Sequence, residues 1–201
     1  MSKKLNYNDR RVIRTQKLLK NALVELIDEV GFDKITVQDI SNRATVNRAT
    51  FYLHFHDKYD LLDQSMEEVI NELHNSFNAP DNNYRFDSGH PYPIFINLFE
   101  KVAEHANFCR VMLTKSNMSS FKSNLQSIFH EFISKGLQQF VPDDRKLTAS
   151  REFVVVYVES AFLGTVTWWL ENDRPYSPKF MATQLMNLAI KGPYVENPFE
   201  E

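Results

Sequence analysis

Residues 36–58 read TVQDISNRATVNRATFYLHFHDK. Thr36 followed three residues later by Asp39 resembles a capping box, with Asp in place of the usual Glu, and opens a short helix that ends near Ala44. Thr45-Val46 make a turn, and Asn47 is a good N-cap for a further helix running from Arg48 to about Phe55. Phe51 and Phe55 lie four apart, so they share one face and point inward together. A helix, a tight turn and a second short helix with polar side chains outward is the layout of a helix-turn-helix, whose second helix enters the DNA major groove.

Working outward, the preceding helix spans about Asp9 to Val30. Leu19, Ala22, Leu23, Leu26 and Val30 fall on one stripe, and Gly31 stops the helix as a left-handed C′ residue. Downstream, Asp57-x-x-Asp60 caps a fourth helix with Leu61, Leu62, Met66, Val69, Ile70 and Leu73 on its apolar side. Residues 78–93, rich in Asn, Asp, Pro and Gly, read as a loop. Helical patterns follow at about 94–106, 108–115, 119–140, 148–172 and 178–191, the last opened by Ser177 as cap and Pro178 at the first position. No stretch reads as a convincing strand. The expected fold is all-α: a helix-turn-helix head over 1–56 and a helical effector-binding and dimerisation body over 57–201.

Composition agrees. The 201 residues are 43% hydrophobic and 13% aromatic, ample for a buried core, and sixteen Phe against five Gly lean towards helices. The net charge of −3 hides an asymmetry. Residues 1–60 carry 11 Lys+Arg against 8 Asp+Glu, a net +3; residues 61–201 carry 12 against 18, a net −6. A basic head on an acidic body suits a protein that touches DNA at one end, since phosphate contacts depend on local positive charge. The N-terminus has no signal-peptide pattern. The single cysteine, Cys109, excludes an internal disulfide and fits a reducing cytoplasm; it reads as core rather than a redox sensor. Residues 153–170 are nearly long and apolar enough for a membrane span, but Glu159 inside them favours a buried helix.

The recognition helix holds the candidate chemistry. Arg48 suits guanine O6/N7, and Ala49 or the Thr50 methyl suits a thymine methyl. Tyr52, His54 and Lys58 suit phosphates, which position without reading sequence. Thr36 and Gln38, at the start of the preceding helix, join them as DNA contacts. His54, His56, Asp57 and Asp60 do not form a closed ligand set, so no metal is expected, and no catalytic or cofactor motif is evident.

The stretch GFDKITVQDISNRATVNRATFYLHFHDKYDLL resembles the N-terminal domain of the TetR (tetracycline-repressor-type) regulators. The matching positions are Gly31, Phe32, Thr36, Val37, Ile40, Ala44, Val46, Thr50, Phe51, Tyr52, His54, Phe55, Lys58 and Leu61. Thr45 and Ala49 replace glycines of that pattern, and His56 replaces a frequent proline. The resemblance implies a homodimer, whose two-fold axis asks for a palindromic double-stranded DNA operator. It also implies a helical C-terminal domain with a small-molecule effector pocket, and usually repression.

Two further sets are expected in that domain. Phe99, Met112, Phe129, Tyr157, Glu159 and Phe162 line a pocket or serve as plain core, and Glu159 either pairs with a neighbouring helix or faces the effector. Gly164, Trp168, Met181, Leu185 and Leu188 are expected at a dimer interface, because the last two long helices carry more apolar surface than a thin domain fills. Two other functions fit the same features: DNA binding without transcriptional control, and a helical carrier or enzyme with a vestigial head.

Overall fold

The computed structural model describes residues 10–76, 93–115 and 119–192, and among these the secondary structure is helical throughout. The helices are α1 (Arg10–Val30), α2 (Val37–Arg43), α3 (Arg48–His54), α4 (Lys58–Ser76), α5 (Pro93–Glu104), α6 (Ala106–Thr114), α7 (Ser119–Phe140), α8 (Arg151–Glu171) and α9 (Pro178–Lys191). Short 3-10 turns sit at Phe32–Lys34 and Asp144–Lys146. The loop expected over 78–93 lies outside the described residues but for its last position.

Local sequence sets the breaks. Gly31 adopts φ +82° after α1. Thr36 and Asp39 form a reciprocal capping box at α2, and Asn47 accepts the Ala49 amide at 2.8 Å to start α3. Asp57 accepts the amides of Tyr59 and Asp60 at 2.8 and 2.9 Å to start α4. Ser177 accepts the Phe180 amide at 3.3 Å ahead of Pro178. Such caps contribute about 1 kcal/mol each and fix where a helix begins.

α1 joins the two parts of the molecule. It packs on α2 in the head and on α4 and α6 beyond it. Its buried residues are Leu19, Ala22, Leu23, Val24, Leu26 and Ile27, whereas Val30, expected on this stripe, is 46% exposed at the helix's last turn. In the body, α5 lies on α9 and α4, while α8 lies on α6 and α7. One apolar core runs unbroken from Leu19 in the head to Leu185 in α9.

α8 is long and apolar enough to cross a membrane by length and composition. Here it packs Val155, Phe162, Leu163, Val166, Trp169 and Leu170 inward. Apolar residues surround its whole circumference, so its sequence does not mark which side is core.

Candidate nucleic-acid interface

α3 is held from beneath. Phe51 and Phe55 are 0% and 2% exposed, their rings 5.8 Å apart. The opposite side presents Arg48, Ala49, Tyr52 and Leu53, all exposed. Arg48 Nη2 donates to the Tyr52 hydroxyl at 3.1 Å, and its guanidinium lies 5.5 Å from that ring's centroid. This orients a bidentate donor on the outer face at the start of the helix. Leu53 was not among the expected contacts, yet it is 62% exposed and one turn from Ala49. An exposed apolar residue there suits a thymine methyl; its spacing from Ala49 was the available signal.

The turn before α3 carries strain. Thr45 sits at φ +57°, where the family pattern has glycine. A left-handed β-branched residue costs about 1–2 kcal/mol. The turn is held by the Thr45 amide on the Asn42 carbonyl at 3.1 Å and the Val46 amide on the Ser41 carbonyl at 2.9 Å. α2 is in turn locked to α1 by Arg43, which donates to Glu29 at 2.6 and 2.8 Å and to Glu25 at 3.2 Å.

The flanking residues divide. Thr36 is exposed, and its hydroxyl donates to Asp39 at 2.6 Å, which helps hold that carboxyl below the usual carboxylate range. Gln38 is exposed and donates to Asn42 at 2.7 Å. Thr50 is half-buried on the edge of α3. His54 is also half-buried, with Nδ1 enclosed and lacking a hydrogen-bond partner, and burial pushes its pKa below the ordinary histidine value.

Lys58, expected on a phosphate, is engaged within its own chain. Its ammonium donates to the carbonyls of Phe32, Asp33 and Ile35 at 3.0, 3.2 and 2.9 Å and lies 4.7 Å from the Phe32 ring centroid. An ammonium has three N–H donors, and all three are used here. In this arrangement Lys58 clasps the 3-10 turn to α4. Lys58→Met should destabilise the chain by about 1–3 kcal/mol, because it strips three carbonyls of their donor. It should leave the slope of log K against log[salt] for DNA unchanged. A slope reduced by about 1 would return Lys58 to the DNA backbone.

Asp28, Arg110 and Lys115 were not singled out from sequence. Arg110 donates to Asp28 at 2.5 Å, Lys115 lies 3.1 Å from the same carboxylate, and Arg110 holds that carboxyl below its usual range. Asp28 is on α1 and Arg110 on α6, so this cluster ties the head to the body. No local pattern marks a pair 82 positions apart.

In the body, Phe99, Met112, Phe129 and Phe162 are 0–3% exposed. The Phe162 ring centroid lies 4.5 Å from Phe129 and 5.3 Å from Phe99, and Trp169 lies 5.4 Å from Phe99. These rings pack directly on one another. Tyr157, expected beside them, is 61% exposed because it lies one turn from Phe153 on the outer side of α8. Glu159 has a side chain only 12% exposed and meets His130 Nδ1 of α7 at 3.1 Å, the neighbouring-helix partner that a buried carboxylate calls for. Cys109 is buried and its thiol is pushed up to about 12 by that burial, so it is unreactive core.

Of the expected interface residues, Gly164, Trp168 and Leu188 are exposed. Met181 and Leu185 are 3% and 9% exposed and fill the chain's own core, because their side of α9 is the one packed within the subunit.

Residues 19–64 match the model described as bacterial regulatory proteins, tetR family, and residues 89–191 match a transcriptional regulator C-terminal region of the same family. The chain is 25% identical over 179 residues to the biofilm operon icaADBC HTH-type negative transcriptional regulator IcaR of Staphylococcus aureus, covering 84% of this chain and 88% of that one. It is 23% identical over 181 residues to the HTH-type transcriptional regulator YxbF of Bacillus subtilis, covering 85% of this chain but only 43% of that longer protein. Among solved structures, the fatty acid degradation regulator FadR of Bacillus halodurans superposes with a TM-score of 0.64 at 18% identity, over 89% of this chain and 95% of that one. FadR of Bacillus subtilis in complex with stearoyl-CoA gives 0.58 at 20% identity, over 89% and 99%.

Proposed function

The chain belongs to the TetR family of bacterial transcriptional regulators, and on that premise we propose that it is a homodimeric repressor released from a palindromic operator by a small-molecule effector. In this reading residues 1–56 form the DNA-binding head and residues 57–201 the effector-binding and dimerisation body. The protein works in the cytoplasm, where its operator is.

The observation that carries the DNA reading is the outer face of α3. Arg48, Ala49, Tyr52 and Leu53 stand exposed there while Phe51 and Phe55 anchor the helix from behind. Arg48 and Leu53 are the base readers, and Thr36, Gln38 and Tyr52 flank the groove. Repression follows the negative regulation named for the Staphylococcus aureus relative, and effector control follows the acyl-CoA bound in the Bacillus subtilis neighbour.

Dimerisation is supported by apolar surface. Phe153, Tyr157, Trp168, Tyr176, Phe180 and Leu188 are each 43–65% exposed. Tyr176 stacks between Trp168 and Phe180, with ring centroids 6.4 and 4.5 Å away. Clustered exposure of this kind marks an interface. Gly164 lies on the same face, and a Cβ there would meet nothing in its own chain within 4 Å. That leaves room for close approach by a partner helix.

Genome-wide mapping of bound sites tests the reading. A repressor yields one or a few promoters with two half-sites about a helical turn apart, whereas scattered sites would mark a chromosome-organising protein. On the operator so found, Arg48→Ala should cost about 1–3 kcal/mol and relax preference at one position in each half-site. Equal weakening on every single-base variant would make Arg48 a phosphate contact.

A further inference from the structure

α1 bears a second stripe besides the one that fills the head. Ile13, Lys17, Lys20 and Val24 follow one another at helical spacing and face α4 and the α5–α6 turn. Between these elements lies a cavity of about 490 Å³, a size in the range of small-molecule sites. It is bounded by the head's first helix on one side and by the body on the other.

The lining decides the ligand. Its apolar part is Ile13, Val24, Val69 and Phe108. Ile13 is 52% exposed, an isoleucine left open to solvent at the cavity wall. The carboxylates that line it already have cationic partners: Lys20 pairs with Glu68, and Lys101 with Glu104 at 2.5 Å. His105 lies 2.9 Å from Glu72, just beyond the lining. Lys17 is exposed, lines the cavity and has no ion-pair partner among the described residues. Among the charged groups that line the cavity, the one left without an ion-pair partner is thus Lys17, one turn from the exposed Ile13.

We propose that this cavity binds a small amphipathic organic anion, with its acid group on Lys17 and its hydrocarbon against Ile13 and Phe108. Its role as an effector site rests on the reading of the chain as a ligand-controlled repressor. The cavity's place supports that role. A ligand there touches α1, which packs on α2 of the head, and also α4 and the α5–α6 turn of the body. Any difference in ligand affinity between the free and operator-bound arrangements then changes operator affinity by the same factor.

The test uses the full chain and two probes of equal hydrocarbon length, decanoate and decylammonium, below their micellar concentrations. Titration calorimetry should show decanoate binding once per subunit and decylammonium at least tenfold more weakly. Lys17→Glu should weaken decanoate by about tenfold, the worth of a charge-assisted contact, and improve decylammonium. Ile13→Asp should weaken both probes. Both positions are exposed, so unchanged helical circular dichroism confirms that the variants fold. Absence of decanoate binding up to millimolar concentration overturns the proposal. So does decanoate binding that is indifferent to Lys17→Glu, since the probe is then elsewhere. Operator affinity, measured with and without decanoate, separates the two readings. Lys17-dependent binding that leaves operator affinity unchanged upholds the site and overturns its role as the effector site. Operator release that persists in Lys17→Glu upholds ligand control and overturns this location.

Discussion

Replacing Trp168 and Phe180 together with Glu is expected to give a folded monomer whose operator affinity is lowered about 10²–10⁴-fold. Both side chains are more than two-fifths exposed within their own subunit and join through Tyr176 into one aromatic surface on α8 and α9. Little is lost inside the subunit by changing them. In a two-fold assembly each substitution occurs twice, so four carboxylates are brought into one desolvated interface. A dimer on a palindrome engages its second half-site at the effective concentration set by the first, and a monomer forfeits that gain. Sedimentation at micromolar concentration and operator titration read the two consequences. A double variant that sediments as a dimer would remove this face from the interface. Met181→Ala is the contrast: it should lower stability by about 2–5 kcal/mol through the cavity it leaves in the subunit core.

Phe51→Ala should destabilise the chain by about 3–5 kcal/mol, the usual cost of emptying a fully buried aromatic site. Phe51 is 0% exposed and contacts Phe55 beneath the recognition helix. α3 has only seven residues, too few to hold a helix without packing. Losing its anchor frees the helix that presents Arg48, so operator binding should fall with stability. Leu53→Ala provides the control. Leu53 is 62% exposed, so its loss should alter stability by no more than about 0.5 kcal/mol, and any fall in operator affinity then reports a contact. Denaturant melts and operator titrations on both variants check this. A Phe51→Ala loss under about 1 kcal/mol would show that α3 is held by something else.

Much of the head, and the start of α9, was legible because the determinants are local. The caps at Thr36, Asn47, Asp57 and Ser177 each act on amides within three residues, so the side chain and its target are adjacent in sequence. The inward pair Phe51 and Phe55 follows from helical periodicity alone, and the exposed face of α3 is what that pair leaves over. Gly31 and the turn through Thr45 likewise set conformation at single positions. These features determined the fold class and which side of α3 is turned outward.

The tertiary structure decided what depends on distant partners. Lys58 occupies a position where a phosphate contact was expected, and its ammonium turns inward because three carbonyls of a turn 23–26 residues earlier meet it. The Asp28–Arg110 tie and the Glu159–His130 pair join positions 82 and 29 residues apart. On α8 and α9 the apolar residues run around the helices, so periodicity does not separate the side that fills the subunit from the side left over. Packing placed Met181 and Leu185 inside and left Trp168, Phe180 and Leu188 open, and it put Phe162 in the core while turning Tyr157 out. The physical reason is the same in each case. A helix's start, stop and period are set by neighbours in sequence, whereas the direction in which a long or apolar side chain is satisfied is set by whichever segment the fold brings against it.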